Sequence, residues 1–173
     1  SRRIYLLRGF DKLVNNIDLS AYGEDYNDGE GWTPIGKYNI SESDYSKVFK
    51  GIFNGNGKVI TGLYINRNSQ QYQGLFGWAV DAIIENVSLA NVNIRGSGRV
   101  GGVVGDVKGT VQNCYITGSV SGTSSYVGGV AGMVSGSTVQ NCYSSSSVEG
   151  NQLVGGVVGS SLNSTVQNCY STG

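Results

Sequence analysis

Val100-Gly101-Gly102-Val103-Val104-Gly105 returns as Val127-Gly128-Gly129-Val130-Ala131-Gly132 and again as Val154-Gly155-Gly156-Val157-Val158-Gly159, both times after 27 residues. A second block follows each copy. Thr110-Val111-Gln112-Asn113-Cys114-Tyr115 recurs at 138–143 and 165–170, with offsets of 28 and 27, so one added residue in a loop separates the units. A weaker copy lies upstream, where Gly74-Leu75-Phe76-Gly77 precedes Ile84-Glu85-Asn86-Val87-Ser88-Leu89. An earlier one runs from Phe49 through Gly57 into Val59–Ile65.

Aligned on their apolar residues, the units read Ile60/Leu63/Ile65, Ile84/Val87/Leu89, Val111/Cys114/Ile116, Val139/Cys142/Ser144 and Val166/Cys169/Ser171. The step of two is strand alternation. The step of three requires a bend, and the residue inside it is Gly62, Asn86, Asn113, Asn141 or Asn168, types that tolerate left-handed backbone angles. Each unit is thus short strand, corner, short strand and Gly-rich turn. A unit this small cannot bury its own apolar face, so successive units must stack. The expected fold is all-β: a right-handed parallel β-helix (β-solenoid) of about five coils with an N-terminal cap. The coils lie near 49–67, 73–96, 100–122, 127–150 and 154–173, and residues 1–48 form the capping segment. Within that segment, Ile4–Leu7 and Leu13–Ser20 read as strands joined by a short helical turn over Arg8–Lys12.

Composition agrees and excludes several functions. With 28 Gly, 1 Pro and 14% charged residues, the chain is poor helix material. Twelve basic residues balance twelve acidic ones, so nothing draws a phosphate backbone and nucleic acid is not an expected partner. No apolar run approaches the roughly 20 residues of a membrane span, so the segment is not itself transmembrane. It opens on Ser1 without a signal-type region and stops mid-unit at Gly173, which reads as a piece of a longer chain that continues into further repeats or domains.

The chain has no histidine, so the commonest general base and metal ligand are absent, and no cofactor is expected. Cys114, Cys142 and Cys169 stand where Leu63 and Val87 stand earlier, which assigns them to the core as small hydrophobes. Tyr64, Tyr115, Tyr143 and Tyr170 follow the inward position and so form an outer row, interrupted by Ser88; such a row can stack on sugars or seat a partner, or simply stiffen its sheet. The corner asparagines are expected to form a ladder of amides bonded from coil to coil. Asp25, Asn27, Asp28 and Glu30 concentrate oxygen ligands and are a calcium candidate, though their spacing is not that of an EF-hand loop and an ordinary exposed turn explains them as well. Glycosidic catalysis needs two carboxyl groups about 5–9 Å apart. Asp106 and Glu149 sit at unrelated repeat positions, and Asp18, Asp44 and Asp81 share no face, so catalytic residues are expected to be none.

The Gly-Leu/Val-x-Gly units at 74–77, 102–105, 129–132 and 156–159, each followed by an Asn-Cys-Tyr block or its equivalent, resemble GLUG-motif repeats. Asn15–Ser20, Gly31-Trp32-Thr33-Pro34-Ile35-Gly36 and Phe53–Ile60 look like the usual lead-in to such arrays. The resemblance implies a module of a bacterial cell-surface or secreted protein, adhesin-like, or the non-catalytic repeats of an M26 immunoglobulin A peptidase, with a host glycan or matrix protein as candidate partner. The zinc motif of those peptidases needs histidines that this chain lacks, so no activity carries over. The expectation is a non-catalytic adhesin or scaffold module, with an accessory region of a secreted protease or glycan-degrading enzyme as the alternative.

Overall fold

The computed structural model describes residues 8–36 and 46–173. Every ladder between its strands is parallel, and the coils stack into a β-solenoid of about four turns. One long sheet runs Arg8–Lys12, Phe49–Asn54, Phe76–Glu85, Val104–Gln112, Ala131–Ser135, Val158–Leu162. A second runs Ile17–Asp18, Val59–Thr61, Ser88–Gly96, Tyr115–Gly122, Tyr143–Ser144, Tyr170–Ser171. The third face is shorter: Gln73 bridges Val100, and Val100–Gly101, Ser125–Gly128 and Gln152–Gly155 follow. The coil expected at 49–67 contributes to the two long sheets but not to this third face, which is why the complete turns are fewer than the repeats suggested.

The amino-terminal segment extends the stack. Arg8–Lys12, expected as a helical turn, is a strand in register with Lys50–Asn54, and of the strand expected at Leu13–Ser20 only Ile17–Asp18 forms, paired with Ile60–Thr61. Backbone pairing with the neighbouring rung outweighs weak local preference here. Ile35 bridges Phe76 in parallel, and Gly36 begins a glycine ladder: a Cβ on Gly77 would lie 2.8 Å from the Gly36 carbonyl oxygen, one on Gly105 2.7 Å from that of Gly77, and one on Gly132 2.6 Å from that of Gly105. Thus Ile35-Gly36 extends the glycine column by one rung, while Gly31 just before Trp32 bridges Ile65 in antiparallel. The strand expected at Ile4–Leu7 and the acid Asp44 lie outside the described residues.

The corners form as their residues predict. Asn86, Asn113, Asn141 and Asn168 have φ of 56°, 54°, 53° and 52°, the left-handed angles Asn tolerates. Between the corners, alternate residues point inward and build one continuous core: Phe53, Ile84, Val111 and Val139 in one ladder, Ile60, Leu89 and Ile116 in another, all buried. The added residue between units lies at Ser135-Gly136-Ser137, where the later coils break one long strand into two; the Ser137 hydroxyl donates to the Val107 carbonyl and accepts from the Gly109 amide.

Candidate ligand-binding face

Parallel stacking turns each repeat position into a column, and the columns define the surface chemistry. Tyr115, Tyr143 and Tyr170 do align, paired residue for residue along the second sheet, with Ser88 next below Tyr115. Tyr143 and Tyr170 stack with ring centroids 4.4 Å apart, and the Tyr143 hydroxyl shares a hydrogen bond with Thr172. Tyr115 has no ring partner among the described residues and is 48% exposed.

Tyr64 does not belong to this row. Its cross-strand partner is Asn93, and Asn93 in turn pairs with Ser119. The position below Ser88 is held by Val59. The cause is a spacing that occurs twice per coil: Ile84/Val87/Leu89 and Leu89/Val92/Ile94 both step three then two, so Ile60/Leu63/Ile65 fits either. Register assigns it to the second, since Ile60 faces Leu89 and Ile65 faces Ile94. Gly62 accordingly matches the corner at Asn91 (φ 56°), not that at Asn86.

The amide ladder is shorter than expected and starts earlier. Asn113 Nδ2 donates to Asn86 Oδ1 and Asn86 Nδ2 to Asn54 Oδ1, each at 3.2 Å. Asn141 and Asn168 make no such side-chain bond among the described residues. Beside it runs a column that the sequence reading missed. Gln167 Nε2 donates to Gln140 Oε1 (2.9 Å), Gln140 Nε2 to Gln112 Oε1 (2.8 Å), and Gln112 Nε2 to Glu85 Oε2 (2.8 Å), while Asn54 Nδ2 donates to Glu85 Oε1 (2.8 Å). A carboxylate only accepts, so Glu85 ends the donor chain from both sides. The signal was present in the recurring Thr-Val-Gln, with Glu85 in the glutamine's place.

A second missed column has a fixed period but changing chemistry. Tyr72, Arg99, Tyr126 and Leu153 are spaced by 27, and all four have left-handed φ, of 62°, 50°, 68° and 52°. The Arg99 guanidinium lies 5.1 Å from the Tyr72 ring centre and 5.3 Å from that of Tyr126, and Tyr72 stacks on Trp78 at 5.5 Å. Arg99 Nε is 3.1 Å from the Asp106 carboxylate. Burial pushes the Asp106 carboxyl up to about 6, against the opposing pull of Arg99.

The thiols are core groups. Cys114 and Cys142 are buried and Cys169 partly so; all three are free, and each donates to the carbonyl two residues earlier at 3.2 Å. Burial holds the Cys114 thiol well above its ordinary range. The calcium candidates do not converge: Asp25, Asn27 and Asp28 are exposed in a turn, whereas Glu30 is engaged by Arg67 and by Gln70 Nε2 at 3.0 Å. Among the described residues no three His, Cys, Asp or Glu side chains gather as a metal site would need, and no helix is long and apolar enough to cross a membrane.

The stack of parallel coils carrying Gly-x-x-Gly turns and Asn-Cys-Tyr corners is a parallel β-solenoid. The GLUG motif is matched at residues 150–173, and the Thr-Val-Gln-Asn-Cys-Tyr block within that stretch stands one and two rungs earlier in register. Among its relatives, halomucin of Haloquadratum walsbyi is 37% identical over 115 residues, 65% of this chain and 1% of halomucin. A "Putative Gly-rich membrane protein" of Evansella cellulosilytica is 39% identical over 116 residues, 64% of this chain and 12% of that protein. The crystal structure of a "putative immunoglobulin A1 protease" from Bacteroides ovatus shares the fold, with a TM-score of 0.67 at 19% identity over 97% of this chain and 51% of that one.

Proposed function

We propose that this chain is a non-catalytic repeat module of a bacterial cell-surface or secreted protein, exposed outside the cell, where it serves as an adhesive scaffold. The observation that carries the reading is the column construction itself. Glu85 is engaged by amides of its column and Asp106 by Arg99, while the outward tyrosines Tyr115, Tyr143 and Tyr170 repeat from coil to coil. Repetition of a weak contact at fixed spacing is what multivalent attachment requires. The relatives support it: one is named halomucin, the other a "Putative Gly-rich membrane protein", and this chain spans a small part of each.

A second reading, an accessory region of a secreted protease, is favoured by the fold shared with the Bacteroides ovatus protein named for immunoglobulin A1 protease. Beads coated with the fragment decide between them. Saturable capture of host matrix proteins or glycans supports the adhesive module. Absence of capture, with binding instead to the protease's immunoglobulin substrate, supports the accessory role.

A further inference from the structure

We propose that the notch beneath Tyr115 is a binding site for an uncharged sugar; the inference rests on the adhesive reading and gives it a place and a ligand class. A groove of about 410 Å³ runs along the corner between the two long sheets, lined by Asn54, Asn56, Asn86, Ser88, Asn113 and Tyr115 together with Gly57. It exists because the tyrosine column stops. Tyr143 and Tyr170 pack on one another, Tyr115 makes no ring contact with its partner Tyr143 among the described residues, and the rung below it carries Ser88, whose short side chain leaves Tyr115 bordering the groove.

The lining chemistry selects the ligand. No charged side chain lines the groove, so it offers nothing to neutralise a phosphate, sulfate or carboxylate. It offers amides instead. Each asparagine amide has two N–H donors, and the ladder uses one of those on Asn86 and one on Asn113; Asn113 Oδ1 accepts no protein hydrogen bond among the described residues. Donors and acceptors of this kind, fixed on corner residues, match the vicinal hydroxyls of a pyranose. Tyr115, exposed and unstacked, supplies the flat apolar surface on which the carbon–hydrogen face of such a ring lies. The groove volume falls within the usual range of small-ligand sites. The later rungs lack the pieces: Tyr143 and Tyr170 are stacked, and Asn141 and Asn168 stand outside the amide ladder.

Neutral gluco-, galacto- and manno-oligosaccharides, with sialylated and sulfated counterparts, are arrayed against the intact chain and three variants whose melting curves are recorded in parallel. Ser88→Tyr continues the column and fills the notch, Tyr115→Ala removes the platform, and Tyr170→Ala leaves the groove untouched. Binding to a neutral glycan that falls at least tenfold in Ser88→Tyr and Tyr115→Ala, and stays within twofold in Tyr170→Ala, is the expected result. Binding that survives Ser88→Tyr, or that is lost in Tyr170→Ala with Tyr115→Ala unaffected, overturns the site while leaving the adhesive reading intact. Binding confined to charged glycans overturns the ligand class. Matrix-protein binding without glycan binding sinks the inference alone, and no binding to either sinks both.

Discussion

The first rungs and the last rungs share one architecture but fill it differently. Following single columns through the register, Phe49 gives way to Ala79, Val107 and Val134; Phe53 to Ile84, Val111 and Val139; Phe76 to Val104 and Ala131; and Ile60, Leu89 and Ile116 to Ser144. Three phenylalanine rings meet in the early core, Phe76 lying 4.8 Å from Phe49 and 5.2 Å from Phe53. In the later core Ser144 and Ser146 are fully buried, and their hydroxyls share a hydrogen bond of 2.7 Å. Burial of aromatic and branched side chains is the main favourable term in folding. The early rungs therefore hold the stack together, and the later rungs, thin and nearly identical, are held by ladders of backbone and side-chain hydrogen bonds.

Removing a ring from the early core breaks the comparison most directly. Phe76→Ala is expected to cost about 3–5 kcal/mol, whereas Val139→Ala, equally buried in a late rung, is expected to cost about 2 kcal/mol because fewer atoms are lost. Urea unfolding of the two variants measures the difference, and equal costs mean that the early core is not the stronger one.

Asp106 gives the next largest effect, at the junction of the two regions. Its folded-state pKa of about 6 lies above the ordinary carboxyl value of 3.8, so the folded protein holds the proton more tightly than the unfolded chain. Its favourable contribution is complete below pH 3.8 and is lost as pH rises through about 6, a swing of about 3 kcal/mol at most. Asp106→Asn is expected to flatten the stability profile between those limits; an unchanged slope in the variant assigns the pH dependence to other groups.

Glycine packing sharpens the comparison in the thin region. A Cβ on Gly129 would sit 2.2 Å from the Ser144 hydroxyl and 2.3 Å from the Gly156 carbonyl oxygen. Gly129→Ala is thus expected to cost about 1–3 kcal/mol, while Gly57→Ala meets no atom within 4 Å and is limited to the strain of its positive φ, about 1 kcal/mol. Thermal melts of the pair test whether close coil approach or backbone angle dominates. The smallest effect belongs to the amide column: Glu85→Ala, which leaves the Asn54 and Gln112 amides without their acceptor, is expected to cost about 1–2 kcal/mol.

The same gradient explains what could be read from the sequence. Repetition is most exact where the core is thinnest, so residues 100–173 disclosed the parallel stack, the asparagine corners, the inward cysteines and the row from Tyr115 to Tyr170. In the early rungs large side chains replace the shared ones and the pattern blurs. Arg8–Lys12 carries no glycine motif and gains its strand from pairing with Lys50–Asn54, an interaction invisible locally. Tyr64 was placed one corner away from its true column because two successive corners share the same spacing. The Tyr72, Arg99, Tyr126, Leu153 column stayed hidden for the opposite reason, a constant period carrying four positions of unlike chemistry. In the candidate site, Tyr115 and Asn86 were legible as column members; the notch itself was not, since it depends on Ser88 failing to continue the row.

Native-state hydrogen exchange on two strands tests the account most directly. Phe49–Asn54 and Ala131–Ser135 are both paired on two sides, and each lies one rung from an end of its sheet, so they differ chiefly in the core beneath them. The account predicts amides of Phe49–Asn54 exchanging at least tenfold more slowly, an opening free energy higher by about 1.4 kcal/mol. Equal exchange, or slower exchange in Ala131–Ser135, would contradict a solenoid anchored by its early rungs.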